Sequence, residues 1–160
     1  MNRSLLVVCA TIVLFLFTFK ACGDDKPFVN IKVIESQIYG EIKTFREANQ
    51  LTGPFVQNYP MTREAQLFSA KMASGLNDVD TTGISVHWDI IKDKYWAGYN
   101  HVTMVQSTTD ATAAAIVENW TEDPDDAQRL LGDYTQCAVG VEYDSDQVAY
   151  ITVLMMKIDS

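Results

Sequence analysis

Apolar residues in the stretch 30–50, NIKVIESQIYGEIKTFREANQ, recur at steps of three and four: Ile31, Ile34, Ile38, Ile42 and Phe45. That spacing lines one face of an α-helix and leaves the rest polar. Thr52-Gly53-Pro54 stops the helix, and PFVQNYP, with a proline at each end, reads as extended chain. A second helical stripe runs through residues 61–74, where Met61, Ala65, Phe68 and Met72 share a face. Thr62 stands where a cap belongs and Gly75 where a helix stops. Residues 75–83, GLNDVDTTG, are loop by composition. The next stretch, HWDIIKDKYWAGYNH at 87–101, holds no single period. Residues 109–121 predict a third helix with Ala113, Ile116, Val117 and Trp120 on one side. EDPDDAQRLLG predicts a short fourth: Asp123 caps it, Pro124 suits its first position, Asp125 and Asp126 suit its positive end, and Gly132 ends it.

After residue 136 the pattern changes. CAVGV (137–141) and QVAYITVLMMK (147–157) are apolar runs separated by the turn EYDSD. The second run is apolar at odd and even positions alike, as in a strand covered on both faces. Helices followed by strands in one short chain predict an α+β fold, an antiparallel sheet with helices packed on it. Phe68 and Met72 are expected to face that sheet. No repeat, linker or second domain interrupts residues 24–160, which read as one domain.

Residues 1–23 stand apart. Arg3 precedes the apolar run LLVVCATIVLFLFTF, and KACG follows it. A positive start, a short apolar run and small residues at its end describe a secretory signal peptide, cleaved here after Gly23. The run is short of the roughly 20 residues that span a membrane. An uncleaved anchor formed by residues 1–22 is the alternative. A lipidated Cys22 is another, which Lys20 fits badly. Removing residues 1–23 takes away Arg3 and Lys20 but no acid, so the net charge moves from −9 to −11. Such a surface repels phosphate backbones and anionic lipid, so nucleic acid is not an expected partner. Cleavage would also leave Cys137 as the sole cysteine, too few for an internal disulfide. Asn119-Trp120-Thr121 is a glycosylation acceptor triplet.

The chemistry of sites is sparse. GxGxxG, GxxxxGK[ST], GxSxG and HExxH are all missing. His87 and His101 are the only histidines, so a nucleophilic mechanism would need one of them as its base and a metal site would have to use both. A metal would draw its further ligands from the carboxylates at 122–126. The plainer reading makes His87 a satisfied, half-buried side chain and the acidic cluster a capped helix start.

Taken in order, several stretches resemble the CAP superfamily, the cysteine-rich secretory, antigen 5 and pathogenesis-related proteins that carry the SCP domain. TREAQLFSAKMAS is similar to the family's second-helix motif, and FREANQLTGPFV to its opening N-x-x-R-x-x-x-G-x-P-x-L helix and turn. Gly98-Tyr99-Asn100 stands where the family has Gly-Glu-Asn. ATAAAIVENW resembles the helix ending in tryptophan, and AVGVEYDSDQVAYITVLMM the closing strands. The likeness covers roughly residues 35–157. It implies a three-layer α-β-α sandwich around a mainly antiparallel sheet, with a shallow cleft that in many members holds two histidines and two glutamates for a divalent metal. On this register His87 matches the first histidine, Tyr99 replaces the first glutamate, and Asp123, with Glu122 beside it, stands at the second. Asp126 or Ala127 falls at the second histidine. His101 matches no cleft residue and is expected to face the surface, while Trp88 and Trp96 either edge the cleft or pack.

The resemblance therefore implies a secreted protein that binds rather than catalyses. Its expected ligand is a protein partner or a small lipid or sterol held near His87, Tyr99, Asn100, Glu122, Asp123 and Asp126. No cofactor is expected, because one histidine and shortened carboxylates at His87, Asp123 and Asp126 would hold a divalent metal only weakly. The rival readings are a weak metal-assisted hydrolase built on His87 with Asp123 or Asp126, and a structural or decoy protein outside the cell.

Overall fold

The computed structural model describes residues 30–95 and 100–158. The signal-peptide reading of residues 1–23 lies outside them, as do Trp96 and Tyr99. In chain order the elements are α1 (Ile31–Ala48), β1 (Val56–Gln57), α2 (Tyr59–Ala73), α3 (Ser85–Tyr95), β2 (His101–Thr108), α4 (Ala113–Glu122), α5 (Pro124–Leu130), β3 (Gln136–Tyr143) and β4 (Ala149–Met156). The strands form one sheet in the order β1-β3-β4-β2. β1 runs parallel to β3, and the other two pairings are antiparallel.

Alternation along β3 and β4 makes the molecule three layers deep. Cys137, Val139 and Val141 point to one face together with Ile151, Val153 and Met155, and there they meet Ile34, Ile38 and Ile42 of α1 and Ile116, Val117 and Trp120 of α4. Ala138, Leu154 and Met156 point to the other face, against Met61 and Ala65 of α2 and Trp88 and Ile91 of α3. Side chains on a strand alternate with period two, so a strand with helices on both faces must be apolar throughout. Phe68 and Met72 are buried on α2, the helix laid across β3 and β4.

Close approach fixes α2 on the sheet. A Cβ at Gly140 would collide with the backbone of Ala65 and Gln66, so only glycine lets helix and strand meet there. Ser69 seals the contact: its hydroxyl donates to the Gly140 carbonyl (3.0 Å) and lies 2.8 Å from the Thr152 hydroxyl. On the opposite face, the buried Arg46 donates to the carbonyls of Leu130, Gly132 (2.9 Å) and Tyr134 (3.2 Å) and stacks over Phe55. One guanidinium thereby ties α1 to the chain between α5 and β3.

The structure moves several expected boundaries. α2 begins at Tyr59, and its cap is Asn58, whose side chain accepts from Met61 N at 3.1 Å; Thr62 lies inside the helix. Residues 109–112 are a turn held by Thr108 and Asp110, and Thr112 caps α4. The patternless stretch divides into α3 and the start of β2. β2 is an edge strand with Met104 alone buried, so its side chains carry little apolar alternation. Asp123 does cap α5, accepting from the backbone of Asp125 and Asp126.

Candidate functional site

Two polar arrangements flank α3. The first is buried beneath it. Glu64, Phe68 and Lys71 follow one another at steps of four and three on α2, and so share the face that meets α3. His87, at the start of α3, drops onto that face with its ring nearly perpendicular to that of Phe68 (82°, centroids 5.6 Å apart). Its Nδ1 lies 2.9 Å from Glu64 Oε2, and its Nε2 lies 3.0 Å from Lys71 Nζ. An ammonium beside Nε2 makes that nitrogen the acceptor and leaves Nδ1–H to donate to the carboxylate. Both His87 nitrogens are thus engaged, in a residue that is 4% exposed.

The second arrangement is a cavity of about 420 Å³ between α3, β2 and α5. Trp88, the residue after His87, turns the other way and donates from its indole to Thr103 Oγ1 (2.8 Å). His101 at the start of β2 lies tilted over that indole with ring centroids 4.4 Å apart. Ile84 and Val102 supply apolar wall, and Asp89, Lys92 and Arg129 charge the rim. Here the structure corrects the expectation for His101: it does not face away but helps to form the cavity. Trp88 both packs in the core and lines this space.

Among the described residues no hydrogen bond or ion pair joins His87 to the acidic cluster. Asp123 spends its carboxylate on capping α5, and Asp126 pairs with Arg129 at 3.2 Å. Glu122 is exposed at the end of α4, and Asn100 is exposed and donates to the Asp133 carbonyl. Asn119 lies exposed on α4. Among the described residues no three histidine, cysteine or acidic side chains converge as a metal-binding group. The sequence reading missed Glu64, Lys71, Lys92 and Arg129. A signal for the first two was present, since charged residues seven apart flank Phe68 on the face of α2 that α3 covers.

No family model matches the chain, and no curated protein matches it by sequence. Solved structures do. An outer surface protein of Borrelia burgdorferi superposes with a TM-score of 0.69 at 14% identity, over 82% of this chain and 97% of its own. An extracellular SCP-domain protein of Bacillus anthracis matches at 0.61 and 14% identity, over 79% of this chain and 41% of its own. This is the fold of an SCP domain. Venom allergen-like protein 4 of Schistosoma mansoni shares it at 0.56 and 12% identity, over 79% of this chain and 90% of its own. Within this fold, the Trp88 cavity is one concave surface, set where α3, β2 and α5 meet. Among the described residues, no helix is long and apolar enough to cross a membrane.

Proposed function

We propose that this protein is an exported, non-catalytic SCP-domain protein that holds a small amphiphile in the Trp88 cavity, a fatty acid or related lipid with an acidic head. The cavity's own chemistry carries the reading. Its floor is the Trp88 and His101 rings with Ile84 and Val102 beside them, which suits an acyl chain. Lys92 and Arg129 on the rim suit a carboxylate head. Export is supported by the apolar N-terminal run and by the extracellular and outer-surface character of two proteins with the same fold. The hydrolase reading loses support because His87, its intended base, is held between Glu64 and Lys71.

Fluorescence titration with laurate tests the proposal. Trp88 emission should change saturably, and Trp88→Phe should remove the response that remains with Trp120 intact. Arg129→Gln should weaken binding about tenfold, the loss expected for one charge-assisted hydrogen bond. Lipid extracted from the purified secreted protein should contain acyl chains. A flat titration together with a lipid-free extract would sink the reading.

A further inference from the structure

A second cleft lies on the other side of α2 and shares no lining residue with the Trp88 cavity. Its volume is about 450 Å³. Lys32, Glu35 and Ser36 form one wall, at helical steps of three and one on α1. Tyr59, Thr62, Arg63 and Gln66 form the facing wall, at steps of three, one and three on α2. Each set is a single stripe along its helix. α1 and α2 cover opposite faces of the sheet, and these two polar stripes come together past the edge of β3, around the cavity.

The groups in the cleft are ordered by depth. Glu35 is at the base, 3% exposed. Gln66 donates to both of its oxygens (2.8 and 3.0 Å), and Val141 N donates to one of them (3.1 Å). Among the described residues no cation comes within ion-pairing distance of this carboxylate. Burial pushes the Glu35 carboxyl up from its ordinary value. Exposed at the mouth are Lys32 and Arg63, which form no ion pair among the described residues, and the Tyr59 ring, 73% exposed.

We propose that this cleft binds a carbohydrate unit carrying a carboxylate, such as a hexuronate. The arrangement excludes simpler ligands one at a time. A bare anion drawn by Lys32 and Arg63 would meet Glu35 at the base. A simple ammonium drawn by Glu35 would first meet the two cations. A lipid tail finds no aliphatic side chain in the lining. A sugar meets all three demands. Its hydroxyls both donate and accept, which suits Glu35, Gln66, Gln57 and Thr62 together. Its carbon–hydrogen face suits the Tyr59 ring, and its carboxylate suits Arg63 and Lys32.

Amide chemical shifts and saturation transfer, recorded on the full mature chain with millimolar glucuronate, glucose and acetate, test this. Glucuronate should shift amides in 32–36 and 59–66 and saturate from Tyr59. Glucose should bind about tenfold more weakly, and acetate should leave those amides unmoved. Arg63→Gln and, independently, Lys32→Gln should each cost about tenfold in glucuronate affinity, and both sites are exposed, so folding is not at stake. Tyr59→Ala should lose the saturation signal. Equal shifts from acetate would reduce the cleft to an anion site. Equal binding of glucose would remove the rim cations from recognition. No shift with glucuronate, or shifts around Trp88 instead, would overturn the proposal while leaving the amphiphile reading to its own test.

Discussion

Single residues here show how far burial can redirect a polar group. Cys137 is fully buried, and desolvation pushes its thiol up to about 12, so it acts as a small apolar side chain rather than a nucleophile. Arg46 is buried too, yet it remains useful because a guanidinium can serve several carbonyls at once. Glu35 is the residue whose titration stability should report. Burial raises its carboxyl above the ordinary 4.5, against the opposing pull of the bonds from Gln66 and Val141. With the folded value raised, the folded state holds this proton more tightly than the unfolded chain. Its stabilising effect is complete below pH 4.5 and is lost as pH rises through the raised value. A glutamine at position 35 cannot ionise but can still accept from Val141 N. Relative to wild type, Glu35→Gln should therefore gain stability as pH rises above 4.5 and then level off. Urea midpoints across that range measure it, and a difference that falls with pH would refute the assignment. None of this was legible in the sequence, where Glu35 stands next to the apolar Ile34 with no mark of its partners on α2 and β3. His87 and Asp123 show the two sides of residue-level reading. Asp123 was identifiable as a cap because capping is decided within four residues. His87 was assigned to a cleft, but its partners Glu64 and Lys71 are contributed by another helix.

At the scale of elements, the strongly periodic segments were readable and the weakly buried ones were not. α1 follows its isoleucine stripe almost to the residue, and β4 was recognisable as a strand covered on both faces. β2 escaped because an edge strand with one fully buried side chain leaves no alternation to find. The start of α2 was misplaced because Pro60 was read as closing an extended segment, although proline fits the first turn of a helix. The contact of α2 with β3 is where one element most depends on one residue. Gly140 admits the backbone of Ala65 and Gln66, and no flexible side-chain tip lies there to move aside. Gly140→Ala must therefore lift the helix or bend the strand. We expect a loss of roughly 1–3 kcal/mol, toward the upper end because backbone is in the way. Gly53→Ala is the matched control, since its added Cβ meets nothing within 4 Å. Chemical denaturation of the two variants decides the matter: equal midpoints would mean that the interface has slack that this packing does not suggest.

For the whole molecule, the decisive feature is that β3 and β4 serve both cores. Val139 and Val153 belong to the α1 and α4 side, and Ala138 and Leu154 to the α2 and α3 side. The fully apolar β4 run pointed to a strand covered on both faces, and the α-β-α layering was implied by the resemblance to the SCP domain. The sharing of β3 could not be expected, because five residues of CAVGV are too few to show two faces. Sharing has a thermodynamic consequence. Removing the helices from one face would expose half of each central strand, so neither core has a sheet of its own to remain folded on. The chain should unfold as one cooperative unit. Nature has placed a reporter in each half: Trp88 is 3% exposed in the second core, and Trp120 is 3% exposed in the first. Trp88→Phe leaves Trp120 to follow the α4 side, and Trp120→Phe leaves Trp88 to follow the α3 side, with Trp96 replaced by phenylalanine in both. Each replacement costs some stability, so the comparison is made within a variant, between its fluorescence and its far-ultraviolet circular dichroism. In both variants the two probes should give the same midpoint and the same slope with urea. If either tryptophan lost its native emission at lower urea than the backbone signal, one layer would be separable from the sheet and the shared-core argument would fail.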